Sequence, residues 1–195
     1  MGKIRSAWEI ALEKTADIQL DKEKYQHDAK LARIRKIAGG YLSDDEGKSL
    51  EEITKELAAF SATDLREALS ITILQSLSLP QEEVLDDRYE KIEALAAIAT
   101  RDDEQVKQLL DQLVGFLKQY PLHRKDLVEK MKAQYQPMLE EKEAKLSEQY
   151  GQPIKLKAEN DKEFIELASK NLERLQEQYV KTLDGAKAQL RDMLA

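Results

Sequence analysis

Cysteine is absent from this chain. That absence excludes a disulfide framework, a thiolate metal site and a cysteine nucleophile. It also fits a reducing compartment, and the cytoplasm is the expected location. Histidine is nearly absent too: there are two, His27 and His123. Neither stands in Glu-x-x-His or His-Glu-x-x-His, so the ferritin-like di-metal site and the zincin site both lack their ligands. The serines have no partnering histidine from which to build a triad. No run of apolar residues approaches the roughly 20 needed to span a bilayer, so no transmembrane segment is expected. No apolar stretch follows Met1–Arg5, so a secretory leader is not expected either.

What remains is a sequence poor in helix breakers and rich in charge. Seven glycines and four prolines stand among 195 residues, and 35% of the chain is charged. An ordinary compact domain averages about 25% charged. The surplus of Glu, Lys, Leu, Ala and Gln favours long helices, because these side chains lose little rotamer freedom there. The net charge of −7 is unevenly placed. Residues 1–40 hold nine basic against six acidic residues, residues 41–120 eight against eighteen, and residues 121–195 fourteen of each. An acidic middle repels nucleic acid, so nucleic acid is not an expected partner.

These patterns predict an all-α helical bundle with long, partly coiled-coil terminal helices. Three regions are expected: a long N-terminal helix over 1–40, an acidic helical bundle over 41–120 and a long C-terminal helical hairpin over 121–195. In the first, Ile4, Ala11, Ile18, Tyr25 and Ala32 recur at seven-residue intervals. Trp8, Thr15, Lys22, Ala29 and Lys36 take the companion position of this seam, which is apolar on one side and compromised by lysine on the other. Gly39-Gly40 is expected to end the helix.

Ser49 with Glu52 forms a capping box. Thr63 is expected to cap the most apolar segment, Asp64–Leu77, and Pro80 to open a helix running to about Ala99. Thr100 with Asp103 marks another helix start. Tyr120-Pro121 is expected to stop that helix, and Pro137 to kink or restart the next one. Gly151-Gln152-Pro153 then turns the chain into an extended connector, and Asn160 or Asp161 begins the last helix. That helix carries a broad apolar stripe including Phe164, Leu172, Leu175, Tyr179 and Leu183. Residues 3–38 and 161–194 would span about 54 and about 51 Å. These lengths suit pairing of the two ends within one chain as well as between chains.

The opening Gly2–Thr15, GKIRSAWEIALEKT, resembles the start of an uncharacterised family of bacterial helical proteins. Members begin with a similar Gly-Lys-Ile-(Lys/Arg)-Ser-Ala-x-Glu-Ile-Ala-Leu-Glu stretch. The resemblance implies no activity, cofactor or site.

Acidic clusters at Asp44–Glu46, Glu82-Glu83, Asp86-Asp87 and Asp102–Glu104 lack the twelve-residue calcium-loop spacing and read as helix openings. His27 reads as solvated, and His123 as structural or surface. No cofactor, no metal and no enzymatic activity are expected. The leading functional expectation is a helical interaction or scaffold protein with a protein partner or a second copy of itself. Its expected interface is Ile4, Trp8, Ala11, Ile18 and Tyr25, with Leu172, Leu175 and Tyr179. The alternative is a small-ligand-binding bundle with a pocket among Leu65, Leu69, Ile73, Tyr89, Leu109 and Phe116.

Overall fold

The computed structural model describes residues 7–43, 47–80 and 87–194, with side chains described from Lys22 onward. The chain is all-α. Its helices are α1 (Ala7–Ser43), α2 (Leu50–Leu57), α3 (Ala62–Ser76), α4 (Arg88–Thr100), α5 (Glu104–Tyr150) and α6 (Lys162–Leu194), with a 3-10 turn at Ala158–Asn160. No strand occurs among the described residues. The chain divides into two compact units. Unit 1 holds Met1–Leu77, Arg88–Lys107 and Arg191–Ala195; unit 2 holds Ser78–Asp87 and Gln108–Leu190.

Unit 1 packs α1 through α4 around a dry core. Ile34, Ile53, Leu57, Leu69, Ile73, Leu77, Ile92 and Leu95 are fully buried, and each such side chain contributes about 1.5–3 kcal/mol of transfer free energy. The short α2 begins with the expected box: Ser49 Oγ accepts from the Glu52 amide, while Glu52 Oε2 accepts from the Ser49 amide at 2.9 Å. The cap of α3 is Ser61 rather than Thr63, with its hydroxyl accepting from the Asp64 amide at 3.1 Å. The two hydroxyls stand two residues apart, and capping from Ser61 adds residues 62 and 63 to the helix. Helix α3 ends at Ser76 with Leu77 as its cap, and the helix expected to open at Pro80 falls on residues 81–86, outside the described residues; α4 is described from Arg88. At the far end of α4, Arg101 and Asp102 both adopt positive φ, and the Asp102 amide donates to the Ala97 carbonyl at 3.0 Å. That closes the helix as a glycine would.

Gly39-Gly40 does not end α1, which continues to Ser43. Each mid-helix glycine costs about 1 kcal/mol. Burial of Leu31, Ile34, Ala38 and Tyr41 along one side offsets that cost, with the Lys91 ammonium 5.6 Å from the Tyr41 ring centre. The Ser43 hydroxyl donates back to the Gly39 carbonyl at 3.0 Å.

Unit 2 is an antiparallel hairpin of α5, from Gln108, and α6, to Leu190. Tyr135 meets Phe164 near the turn, and Phe116 and Tyr120 meet Tyr179 farther along. Tyr120-Pro121 does not stop α5, which runs through both Pro121 and Pro137. An internal proline costs about 3 kcal/mol. Leu117, Tyr120 and Pro121 are buried on the packed side, and that burial opposes a break. Gly151, at φ +66°, makes the turn expected of it.

Candidate functional site

Three places in the molecule bring chemistry-bearing side chains together or leave them unpartnered. The first is the hairpin turn. Asp161 caps α6, its Oδ1 accepting from the amides of Glu163 at 2.9 Å and Phe164 at 3.3 Å. Its other oxygen accepts from Lys142 Nζ at 2.7 Å, and that ammonium also donates to Glu163 Oε2 at 2.8 Å and Tyr135 Oη at 2.8 Å. The Tyr135 hydroxyl donates to Asp161 Oδ1 at 2.9 Å. The Lys142 bond holds the Asp161 carboxyl down at about 2, and Asp161 and Glu163 raise the Lys142 ammonium well above its ordinary value. Burial pushes the Tyr135 phenol up. Glu143 is buried and accepts from the Leu156 amide at 2.7 Å and from Lys155 Nζ at 2.9 Å, which together hold its carboxyl low. Every group in this network faces a partner, and the small core of Met131, Tyr135, Leu139 and Phe164 packs with it. The network fixes the turn and offers no free nucleophile or base.

The second place is the Tyr179 cluster. Tyr179, 5% exposed, stacks on Phe116 with ring centres 4.4 Å apart and stands 5.0 Å from the Tyr120 ring. Its hydroxyl lies 2.6 Å from His123 Nδ1. Burial raises the Tyr179 phenol above its ordinary value. Beside the cluster opens a pocket of about 460 Å³ lined by Leu79, Pro80, Tyr120, Arg124, Leu172 and Glu173, among others. Sequence reasoning missed Phe116, Tyr120 and His123 as a set. They stand at i, i+4 and i+7 on one helix face, a signal hidden by the expected stop at Pro121.

The third place is α1, which carries two stripes. Leu31, Ile34, Ala38 and Tyr41 form the buried one. The other holds Lys22, Tyr25, Ala29, Ala32 and Lys36, all exposed, with Tyr25 at 76%. This outer stripe is the described part, from Lys22 to Lys36, of the seam read from the sequence. His27 lies off it, with Nε2 3.2 Å from Glu67 Oε2 and Nδ1 3.4 Å from Asp64 Oδ1, so it is held against α3 rather than simply solvated.

Of the expected interface residues, Ile4 lies outside the described residues, and Trp8, Ala11 and Ile18 fall on α1 where the backbone alone is described. Tyr25 is exposed, Leu172 and Leu175 are half-buried on α6, and Tyr179 is committed to partners inside the hairpin. Of the residues expected to line a ligand pocket, Leu69, Ile73 and Tyr89 are buried in unit 1, and Leu109 and Phe116 belong to unit 2. Of the acidic clusters, Asp44–Glu46, Glu82-Glu83 and Asp86 lie outside the described residues. Asp103 caps α5, accepting from the Gln105 amide at 2.9 Å. Among the described residues no group of three or more His, Cys, Asp or Glu is placed to hold a metal ion, and no helix is long and apolar enough to cross a membrane.

Residues 50–192 match a family of unknown function, DUF6657. The chain belongs to that family. The match covers the helices from α2 onward and begins downstream of the Gly2–Thr15 stretch that carries the sequence resemblance. No curated protein and no solved structure matches the chain.

Proposed function

We propose that this chain is a non-enzymatic helical interaction protein of the cytoplasm that engages a protein partner through the outer stripe of α1. One observation carries the reading: Tyr25, Ala29 and Ala32 stand exposed on α1, and Ala32 lies beside the buried run Leu31, Ile34, Ala38 and Tyr41 on the same helix. A large exposed aromatic flanked by small residues suits a helix-on-helix contact, since aromatic anchors dominate binding energy and small neighbours let helices approach. The absence of cysteine supports the location, and the full commitment of His123, Tyr179 and Lys142 to partners within the chain supports a non-catalytic role.

The test is a photoreactive phenylalanine analogue at Tyr25, irradiated in cells of the native host. A discrete protein adduct is expected there, and none from a probe at the buried Ile53. Equal labelling at the two positions overturns the reading.

A second reading, a small-ligand-binding bundle, is favoured by the pocket beside Tyr120. Arg124 and Glu173 set opposite charges in its lining, over an apolar surface of Leu79, Pro80 and Leu172. Native mass spectrometry of the purified protein is expected to show added mass on this reading; its absence counts against the pocket as a binding site.

A further inference from the structure

We infer that His27 is a pH-controlled latch that holds the stretch of α1 before Leu31 against α3. The latch lies within unit 1 and acts whether or not anything binds the outer stripe of α1.

Burial along the described part of α1 begins at Leu31. From Lys22 to Lys30 every side chain is exposed except that of His27, which is half-buried. Apolar packing therefore secures α1 from Leu31 onward, and the tie described upstream of it is polar. An exposed helical stretch gains little beyond its own backbone bonds, and it opens more readily when its docking is lost.

The tie is one histidine set between two carboxylates. Its Nε2 stands 3.2 Å from Glu67 Oε2, and its Nδ1 stands 3.4 Å from Asp64 Oδ1. The two acids lie three residues apart on one face of α3, which packs against α1. Neither has another side-chain partner among the described residues. A neutral imidazole carries one N–H, so it donates to one carboxylate and turns a lone pair towards the other. The imidazolium carries two and satisfies both with charge-assisted bonds. Histidine is the side chain whose ordinary charge change falls between about pH 5 and 8. Protonation thus completes the latch, and loss of the proton leaves a lone pair facing an anion.

The neighbouring charges do not replace the ring. Arg66, between the two acids in sequence, is turned to the carbonyls of Met193 and Leu194. On α1 itself Glu23 and Lys24 stand one turn before His27 and Lys30 one turn after it, all exposed. Among the described residues α2, α4 and the last turn of α6 bring no carboxylate within ion-pair distance of the ring. The hold is therefore bounded on two sides. The ring loses its charge as pH rises through the histidine range, and carboxylates lose theirs below about pH 4. Between these limits the latch is closed.

Hydrogen exchange of the full chain tests this, read as protection factors so that the intrinsic pH dependence cancels. Protection of the amides of residues 24–30 is expected to rise about two- to fivefold as pH falls from 8 to 5.5, the size of an exposed ion pair, and to fall again below about pH 4. His27→Gln keeps a donor but cannot charge, and is expected to lose the rise. His27→Arg is charged throughout, and is expected to be as protected at pH 8 as the native chain at pH 5.5. Glu67→Gln, at an exposed position, is expected to reduce the rise, and His123→Gln to leave it intact. A flat native profile overturns the latch, and so does a rise that survives in His27→Gln. A rise shared in equal measure by the amide of the buried Ile92 marks a change of the whole unit and overturns it too. The native profile and Glu67→Gln decide the matter if either substitution at residue 27 costs helicity by circular dichroism.

Discussion

Unit 1 and the hairpin turn of unit 2 reach order by different means. Unit 1 closes over side chains such as Ile73 and Ile92 that have no exposed surface at all, and its polar bonds include the caps at Ser49 and Ser61. The hairpin turn has a core of four buried residues and surrounds it with Lys142, Asp161, Glu163, Glu143 and Lys155, a set that runs from the buried Glu143 to the exposed Glu163 and Lys155. Apolar burial is indifferent to pH and punishes cavities. A capped ion-pair network tolerates truncation better and answers to protons. The two regions therefore have separate weak points, and each can be attacked without the other.

The largest expected effect is in unit 1. Ile92→Ala removes a fully buried side chain and is expected to destabilise the protein by about 2–5 kcal/mol, read as a lower midpoint in urea unfolding followed by helicity. A loss below about 1 kcal/mol means that the core collapses around the gap and that its packing is not the main support.

A smaller effect is expected at the hairpin turn. Asp161 has its folded-state acidity shifted down from 3.8 to about 2 by the Lys142 bond, so its ionised form favours the folded turn. The stabilisation is present above about pH 4 and is lost as pH falls towards 2. Protection of the Glu163 and Phe164 amides against hydrogen exchange is expected to fall over that interval in the native chain. Asp161→Asn is expected to start with weaker protection and to show a flatter pH dependence. An equal fall in the variant assigns the titration to another carboxylate, with Glu143 the first to examine because it too is held low.

The smallest effect runs the other way. A Cβ at Gly185, inside α6, meets no atom within 4 Å. Gly185→Ala is expected to stabilise by about 0.5–1 kcal/mol, since alanine loses less backbone freedom on entering the helix. Thermal melting decides it, and a lowered midpoint shows that the glycine has a packing role.

Much of this architecture can be read from local chemistry. The Ser49–Glu52 box, the turn at Gly151 and the cap at Asp161 each rest on residues within a few positions of one another. Two of the failures share one cause. Gly39-Gly40 and Pro121 are local breakers, and in both cases burial of neighbouring side chains outweighs the local cost. Expecting a stop at Pro121 also hid the aromatic face of Phe116, Tyr120 and His123. The Lys142 network was out of reach for another reason: its members lie on two helices and become neighbours through the path of the Gly151–Asp161 connector. The seam on α1 was legible as a pattern, but that its part from Lys22 to Lys36 is exposed became visible once Leu31, Ile34 and Ala38 were seen to fill another side of the helix.

The way α6 closes onto unit 1 bears on how the chain is made. The Arg66 guanidinium donates to the carbonyls of Leu194 at 3.0 Å and Met193 at 2.9 Å, tying the last turn of α6 to α3 across more than a hundred intervening residues. Unit 1 is thus assembled from three separated stretches of sequence, and no uninterrupted fragment contains it. On a ribosome adding about 5–20 residues per second, α1 to α4 emerge well before the segment that finishes their unit. The completed form of unit 1 is in that sense a late event, reached after residue 194 has left the exit tunnel.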